Sequence, residues 1–196
     1  MRVWTIQPLR VWEQVEEGGV AVVDPGLRPA PVQPSFEWLV EQLRGRLEGY
    51  EGNLPWWAYC SKPDLRVYRR GSLPGGPQQV RLELEVPTGR NVSFPIWAWN
   101  VVFLLRYLGT RKAQKDWRRR RKEAGLLDVS FYDLPHEWRQ EIEESWPLLF
   151  TRLPRRKNAR GRWGGREAVF EKILLADVRK VEHFTIRPRL GEPIFS

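Results

Sequence analysis

This chain of 196 residues carries one cysteine, one methionine and two histidines. A lone thiol, Cys60, excludes an internal disulfide, and a reducing, cytoplasmic location is expected. The two histidines, His136 and His183, are far apart in sequence and offer no zinc-ligand spacing. No metal and no cofactor is therefore expected. Long apolar runs are missing too. The longest, Ile96 to Leu105, contains Asn100 and falls well short of the roughly 20 residues that cross a bilayer, so no membrane partner is expected. The opening Met1–Pro8 has no apolar stretch of the signal-peptide kind, and no secretory signal is read. The glycine pairs Gly18-Gly19 and Gly75-Gly76 lack the lysine and spacing of a phosphate-binding loop, and no Gly-x-Ser-x-Gly elbow exists. Cys60 follows the aromatic run Trp56-Trp57-Ala58-Tyr59 and reads as a buried thiol rather than a nucleophile.

Arginine and tryptophan are plentiful. Thirty-three basic residues face 24 acidic ones, for a net charge of +9, and there are eleven tryptophans. With 41% hydrophobic residues the chain can bury a real core, so it is not a disordered polyelectrolyte. The charge is uneven. Residues 106–123 hold nine basic and two acidic residues, and residues 152–196 hold twelve and five. Between them, residues 124–151 hold one and six, so the acidic block could neutralise part of either basic stretch.

The pattern of apolar residues gives an α+β fold: a mixed, mostly antiparallel sheet packed with helices, as a single domain over 1–196. Strands are expected at Arg2–Gln7, Val20–Val23, Trp56–Cys60, Leu65–Arg70 and Val80–Val86, and near the C-terminus at Ala168–Leu174 and Val181–Arg187 around a turn at Ala176-Asp177. The clearest is Val80–Val86, where Val80, Leu82, Leu84 and Val86 alternate with Arg81, Glu83 and Glu85. Helices are expected at Leu9–Glu17, after Ser35 as an N-cap, over Ile96–Leu108 ending at Gly109, and after Pro135. Residues 111–124 form a basic helix, polar all round except Ala113, Trp117 and Ala124. Residues 152–165 form a basic loop rich in Gly, Pro and Arg.

The two basic stretches are the main functional signal. Arginine grips phosphate through a planar fork, and an aromatic ring offers a face to a base. The expected nucleic-acid contacts are Arg111, Lys112, Lys115, Arg118, Arg119 and Arg121 from the helix, with Arg155, Arg156, Lys157, Arg160 and Arg162 from the loop. Trp117 and Trp163 are the expected stacking residues. This describes a nucleic-acid-binding protein, DNA or RNA, that serves as a non-catalytic subunit of a larger nucleoprotein assembly with protein partners. An adaptor for an acidic protein is the alternative.

Enzyme readings rest on few acids. Glu83 and Glu85 share one strand face and Asp64 precedes them, a set that could hold Mg²⁺ in a nuclease. The alternative is a solvated strand face with Arg81 as partner. Glu167, beside Arg166 before a strand, is the candidate for a transferase of the ADP-ribosyltransferase type, by fold-level analogy.

Several segments in order resemble one bacterial family, domain of unknown function 3841. They are Trp4-Thr5-Ile6-Gln7-Pro8 with Val11-Trp12, Phe36-Glu37-Trp38-Leu39-Val40-Glu41-Gln42, Pro55-Trp56-Trp57-Ala58-Tyr59, Lys62-Pro63-Asp64-Leu65-Arg66 and Glu83-Leu84-Glu85-Val86-Pro87. Glu144-Ser145-Trp146 with Phe150, and Ala168, Phe170, Val178, Val181 and Phe184, continue the likeness. The family tends to follow its Glu-Val-Pro strand with a segment rich in Ser, Asp, Trp, His and Asn. Here Asn91–Asn100 keeps Trp99 and loses most of the acids and the histidine. Glu167 stands where the family carries glutamine. The resemblance implies a fold; a site built from that polar segment is altered in this chain.

Overall fold

A computed structural model describes residues 1–24, 34–65, 78–151, 153 and 165–186. Helices and antiparallel strands are interspersed along it, an α+β fold. The chain divides into two compact units. One comprises Met1–Arg28, Val40–Ser93 and Gly165–Ser196; the other comprises Pro29–Leu39 and Phe94–Gly164.

The first unit is built on strand β1 (Arg2–Pro8), which runs into helix α1 (Leu9–Gly18). Pro8 lacks a donor for further pairing, and its fixed φ of −54° suits a helix entrance. Helix α1 buries Val11 and Val15 and stops at Gly19, whose φ of 75° is left-handed and whose N–H returns to Val15 O. Strand β2 (Val20–Val22) follows; the next helix, α2 (Pro34–Arg44), belongs to the second unit up to Leu39 and to the first from Val40. Ser35 lies inside α2 rather than capping it, because Pro34 supplies the helical φ. Its buried hydroxyl has no hydrogen-bond partner among the described residues.

Strands β3 (Trp56–Tyr59), β4 (Gln78–Glu85), β5 (Val92–Pro95) and β6 (Arg166–Phe170) join β1 in a six-stranded sheet, closed at its edge by β8 (Val178–Thr185). The order is β5-β6-β3-β1-β4-β8. Strand β1 pairs antiparallel with β3 and β4, β3 with β6, and β4 with β8. A short strand β7 (Lys172–Leu174) pairs antiparallel with β2 in a separate sheet. The expected strand Ala168–Leu174 is thus broken at Glu171, and its halves serve different sheets. The break has a cause. The buried Glu171 carboxylate accepts from Glu51 N at 2.9 Å, Asn53 N at 2.9 Å and Asn53 Nδ2 at 3.1 Å, which pulls the chain out of the ladder. Apart from Leu65, the expected strand Leu65–Arg70 lies outside the described residues.

The alternation along β4 sends Val80, Leu82 and Leu84 into the core with Val3, Ala58, Ala168 and Phe170. Each of the valine, leucine and phenylalanine side chains among them contributes about 1.5–3 kcal/mol by leaving water. On the opposite face Arg81 is also buried, held by Glu182 and by Pro63 O.

The second unit contains helices α3 (Ile96–Phe103), α4 (Arg111–Glu123) and α5 (His136–Ser145). Its core is aromatic: Phe36, Phe94, Trp99 and Phe103 meet edge-on or tilted, and Trp38 stacks on Phe150 and lies edge-on to Trp146. Helix α3 is shorter than the apolar run implies. It ends at Phe103 because Leu105 turns left-handed, with φ 55°. Leu105 N bonds to Val102 O and Arg106 N to Val101 O, the paired bonds of a Schellman stop. A leucine in that conformation costs roughly 1–2 kcal/mol relative to the right-handed form. The unit's packing absorbs this: Leu108 N reaches Ser145 Oγ at 2.8 Å, and Trp146 Nε1 reaches Arg106 O at 3.1 Å.

Candidate nucleic-acid interface

Helix α4 has the sequence RKAQKDWRRRRKE, with eight basic and two acidic residues. Such a charge density disfavours a helix, so its start and anchor matter. Thr110 caps it, its hydroxyl accepting from Ala113 N at 3.2 Å. Its single buried residue is Trp117. The Trp117 ring lies against Tyr107, centroids 5.0 Å apart, and against Trp138 at 5.1 Å. The Arg120 guanidinium sits over both indoles and pairs with Glu141 on α5. Gly109 makes room for this arrangement. A Cβ there would come within 2.9 Å of the Tyr107 ring.

These contacts sort the cations by role. Arg120 is a packing residue. Arg119 pairs along the helix with Asp116 and Glu123. Arg121 donates to Leu126 O and Val129 O and closes the turn after the helix. Burial pulls its pKa below the ordinary arginine value, and the charge of Asp128 opposes that shift. Arg111, Lys112, Lys115, Arg118 and Lys122 are exposed and have no hydrogen bond or ion pair from their side chains among the described residues. Arg111, Lys115, Arg118 and Lys122 fall at i, i+4, i+7 and i+11, hence on one stripe about 16 Å long. Of the acidic segment 124–151, Glu141 pairs with Arg120 and Asp128 lies near Arg121; neither forms an ion pair with the stripe.

Beside the stripe lies a cleft of about 610 Å³. Arg106, Arg118 and Arg121 contribute cations to its lining, with Asp128 as a carboxylate near Arg121. Val101, Leu127, Ile142 and Tyr107 contribute apolar surface to the same lining. Arg106 is exposed, and its side chain also has no partner among the described residues.

Of the residues expected to bind, the structure brings Arg111, Lys112, Lys115 and Arg118 to one exposed surface. Arg119 is exposed but paired along its own helix, Arg121 is held by backbone carbonyls, and Trp117 is 7% exposed, which makes it a packing ring. Arg155, Arg156, Lys157, Arg160, Arg162 and Trp163 lie outside the described residues. Lys122, Arg106 and Tyr107 were not among the expected contacts. Helical spacing from Arg111 would have found Lys122; the other two depend on the left-handed turn at Leu105.

The carboxylate candidates all lie in the first unit. Glu167, Tyr59, Trp4, Glu83 and Lys180 form one row across five strands. Glu83 accepts from Trp4 Nε1 at 3.2 Å and pairs with Arg2; Glu85 pairs with Arg2 and the N-terminal ammonium. Glu83 and Glu167 are three strands apart, about 14 Å, too far to share one Mg²⁺ at about 2.1 Å. Asp64 lies outside any strand. Among the described residues no group of three or more His, Cys, Asp or Glu could hold a metal. Burial pushes the Glu167 carboxyl up from the ordinary range. It also pushes the nearby Cys60 thiol up, away from the thiolate a nucleophile needs; Arg166 opposes that shift and Glu167 adds to it.

No helix among the described residues is long and apolar enough to cross a membrane. No curated protein and no solved structure matches the chain. The model of a family described as domain of unknown function (DUF3841) matches residues 2–170, most of its length, and the chain belongs to that family.

Proposed function

We propose that this protein binds nucleic acid through the exposed stripe Arg111, Lys115, Arg118 and Lys122, with Lys112 beside it, as a non-catalytic subunit of a larger nucleoprotein assembly. The observation that carries this reading is that these five cations have no partner among the described residues, while their neighbours Arg119, Arg120 and Arg121 do. A helix face kept for its own solubility gains by interleaving acids at i+4. Here the stripe itself carries no acid; Asp116 and Glu123 pair with Arg119 beside it. The basic stretch 152–165 adds charge of the same sign by its sequence. An adaptor for an acidic protein would use the same stripe, so the test is a competition. A labelled oligonucleotide bound to the protein should be displaced by unlabelled nucleic acid well before an equal charge of polyglutamate. Equal displacement would favour the acidic partner.

A second reading, a transferase of the ADP-ribosyltransferase type, is favoured by the raised pKa of Glu167 beside Tyr59 in the sheet. Incubation with labelled NAD tests it. We expect no turnover; turnover lost in a folded Glu167→Ala variant would replace the binding reading.

A further inference from the structure

The cleft beside α4 differs from the stripe in one respect: half of its wall is apolar. A surface that only tracks phosphates needs cations and water. This one is lined by three arginines together with Tyr107, Val101, Leu127 and Ile142. We propose that the cleft takes one unpaired nucleotide of a single strand, its base against Tyr107 and its phosphate on Arg106 and Arg118. This rests on α4 being a nucleic-acid surface and adds which form of nucleic acid it selects.

Four observations support the assignment. The volume, about 610 Å³, falls within the roughly 300–1,000 Å³ of small-ligand sites. A base still stacked in a duplex cannot enter such a cleft, whereas an unpaired one can swing out and meet an aromatic face. The Tyr107 ring is held in place, stacked at 14° to Trp117, so no side-chain freedom is lost when a base lands on it. Arg106 and Arg118 bring charge without partners, while Arg121 is fixed by two carbonyls and its field is shared with Asp128. Finally, the chain reaches this geometry through the left-handed Leu105, the one non-glycine residue with positive φ among those described. That strain places Arg106 and Tyr107 at the cleft immediately after α3, and local strain of this sort concentrates where a site must be shaped.

The test uses the whole chain and one fluorescein-labelled 12-mer, offered as a single strand and as a duplex. Anisotropy at low salt gives both affinities. Wild type should bind the single strand about tenfold more tightly than the duplex. Leu127→Trp fills the cleft without changing charge, and should lower single-strand affinity about tenfold while leaving duplex affinity in place. Arg106→Gln, on an exposed side chain with no partner, should lower single-strand affinity more than duplex affinity. If Leu127→Trp fails to fold, Arg106→Gln carries the test alone. Equal affinity for the two probes, or variants that weaken both alike, would overturn the cleft proposal and leave the stripe standing. Binding of neither probe would overturn both.

Discussion

The indole of Trp117 lies parallel to the phenol ring of Tyr107, centroids 5.0 Å apart and planes inclined by 14°. That pair fixes a helix whose other twelve residues gain little from burial. Trp117→Ala should therefore destabilise the protein by about 3–5 kcal/mol, a loss of at least about 6 °C in Tm. Trp117→Phe should lose less. Thermal melts followed by far-UV circular dichroism check both. A folded Trp117→Ala with unchanged Tm would mean that the ring does not anchor α4.

Arg118 and Arg120, two residues apart, should behave oppositely. Arg118→Gln should leave Tm unchanged and reduce the slope of log affinity against log salt by about 0.7–0.9. Arg120→Gln should lower Tm, because its guanidinium covers two indoles and meets Glu141, and should leave that slope in place. Paired melts and salt titrations of the two variants separate the roles.

Much of the fold was legible in the sequence, and the reasons are local. The period-two pattern of Val80–Val86 reads as a strand, and the run after Thr110, polar but for Ala113, Trp117 and Ala124, reads as a helix. Three features were not legible. Leu105 ends α3 through a conformation that leucine disfavours, so only Gly109 stood out as a stop. Glu171 interrupts a strand because its carboxylate is claimed by Glu51 and Asn53, 118 to 120 residues away. The division of α4 into paired and unpaired cations depends on where Glu141 and the carbonyls of Leu126 and Val129 lie, which no spacing within the helix reveals.

Tyr50 provides a check on the loop that Glu171 organises. Burial, followed by the negative charge of Glu171 and opposed by Arg44, pushes its pKa up to about 12. Its hydroxyl donates to Asn53 O at 2.5 Å. A phenol raised in the folded state adds stability that is fully present below pH 10 and is lost as pH rises through about 12. Absorbance titration near 295 nm should show a tyrosine ionising near pH 12 in wild type and absent in Tyr50→Phe. Glu171→Gln should cost about 1.5–3 kcal/mol by weakening the charge-assisted bonds to Glu51 and Asn53.

Glu167 gives a pH dependence of known sign. Its carboxyl is raised by burial, so it favours the folded state most fully below the usual carboxyl pKa, and that contribution is lost as pH rises through the raised value. Glu167→Gln should therefore have a higher Tm than wild type at pH 8, with the difference closing near pH 4. A variant less stable than wild type at pH 8 would show that the charged form is satisfied by a contact in the fold.

The central claim is that the α4 stripe meets phosphates. The direct measurement is the affinity of wild type and of the variant with Arg111, Lys115, Arg118 and Lys122 all changed to Gln for one single-stranded oligonucleotide, at 50 and 200 mM salt. Four phosphate contacts on a single strand give a slope of about −2.8, hence a loss of roughly 50-fold for wild type between the two salts. The variant, folded as judged by its melt, should bind weakly at both salts with a much flatter dependence. Salt-independent affinity in wild type, or a variant that keeps the wild-type slope, would contradict the account.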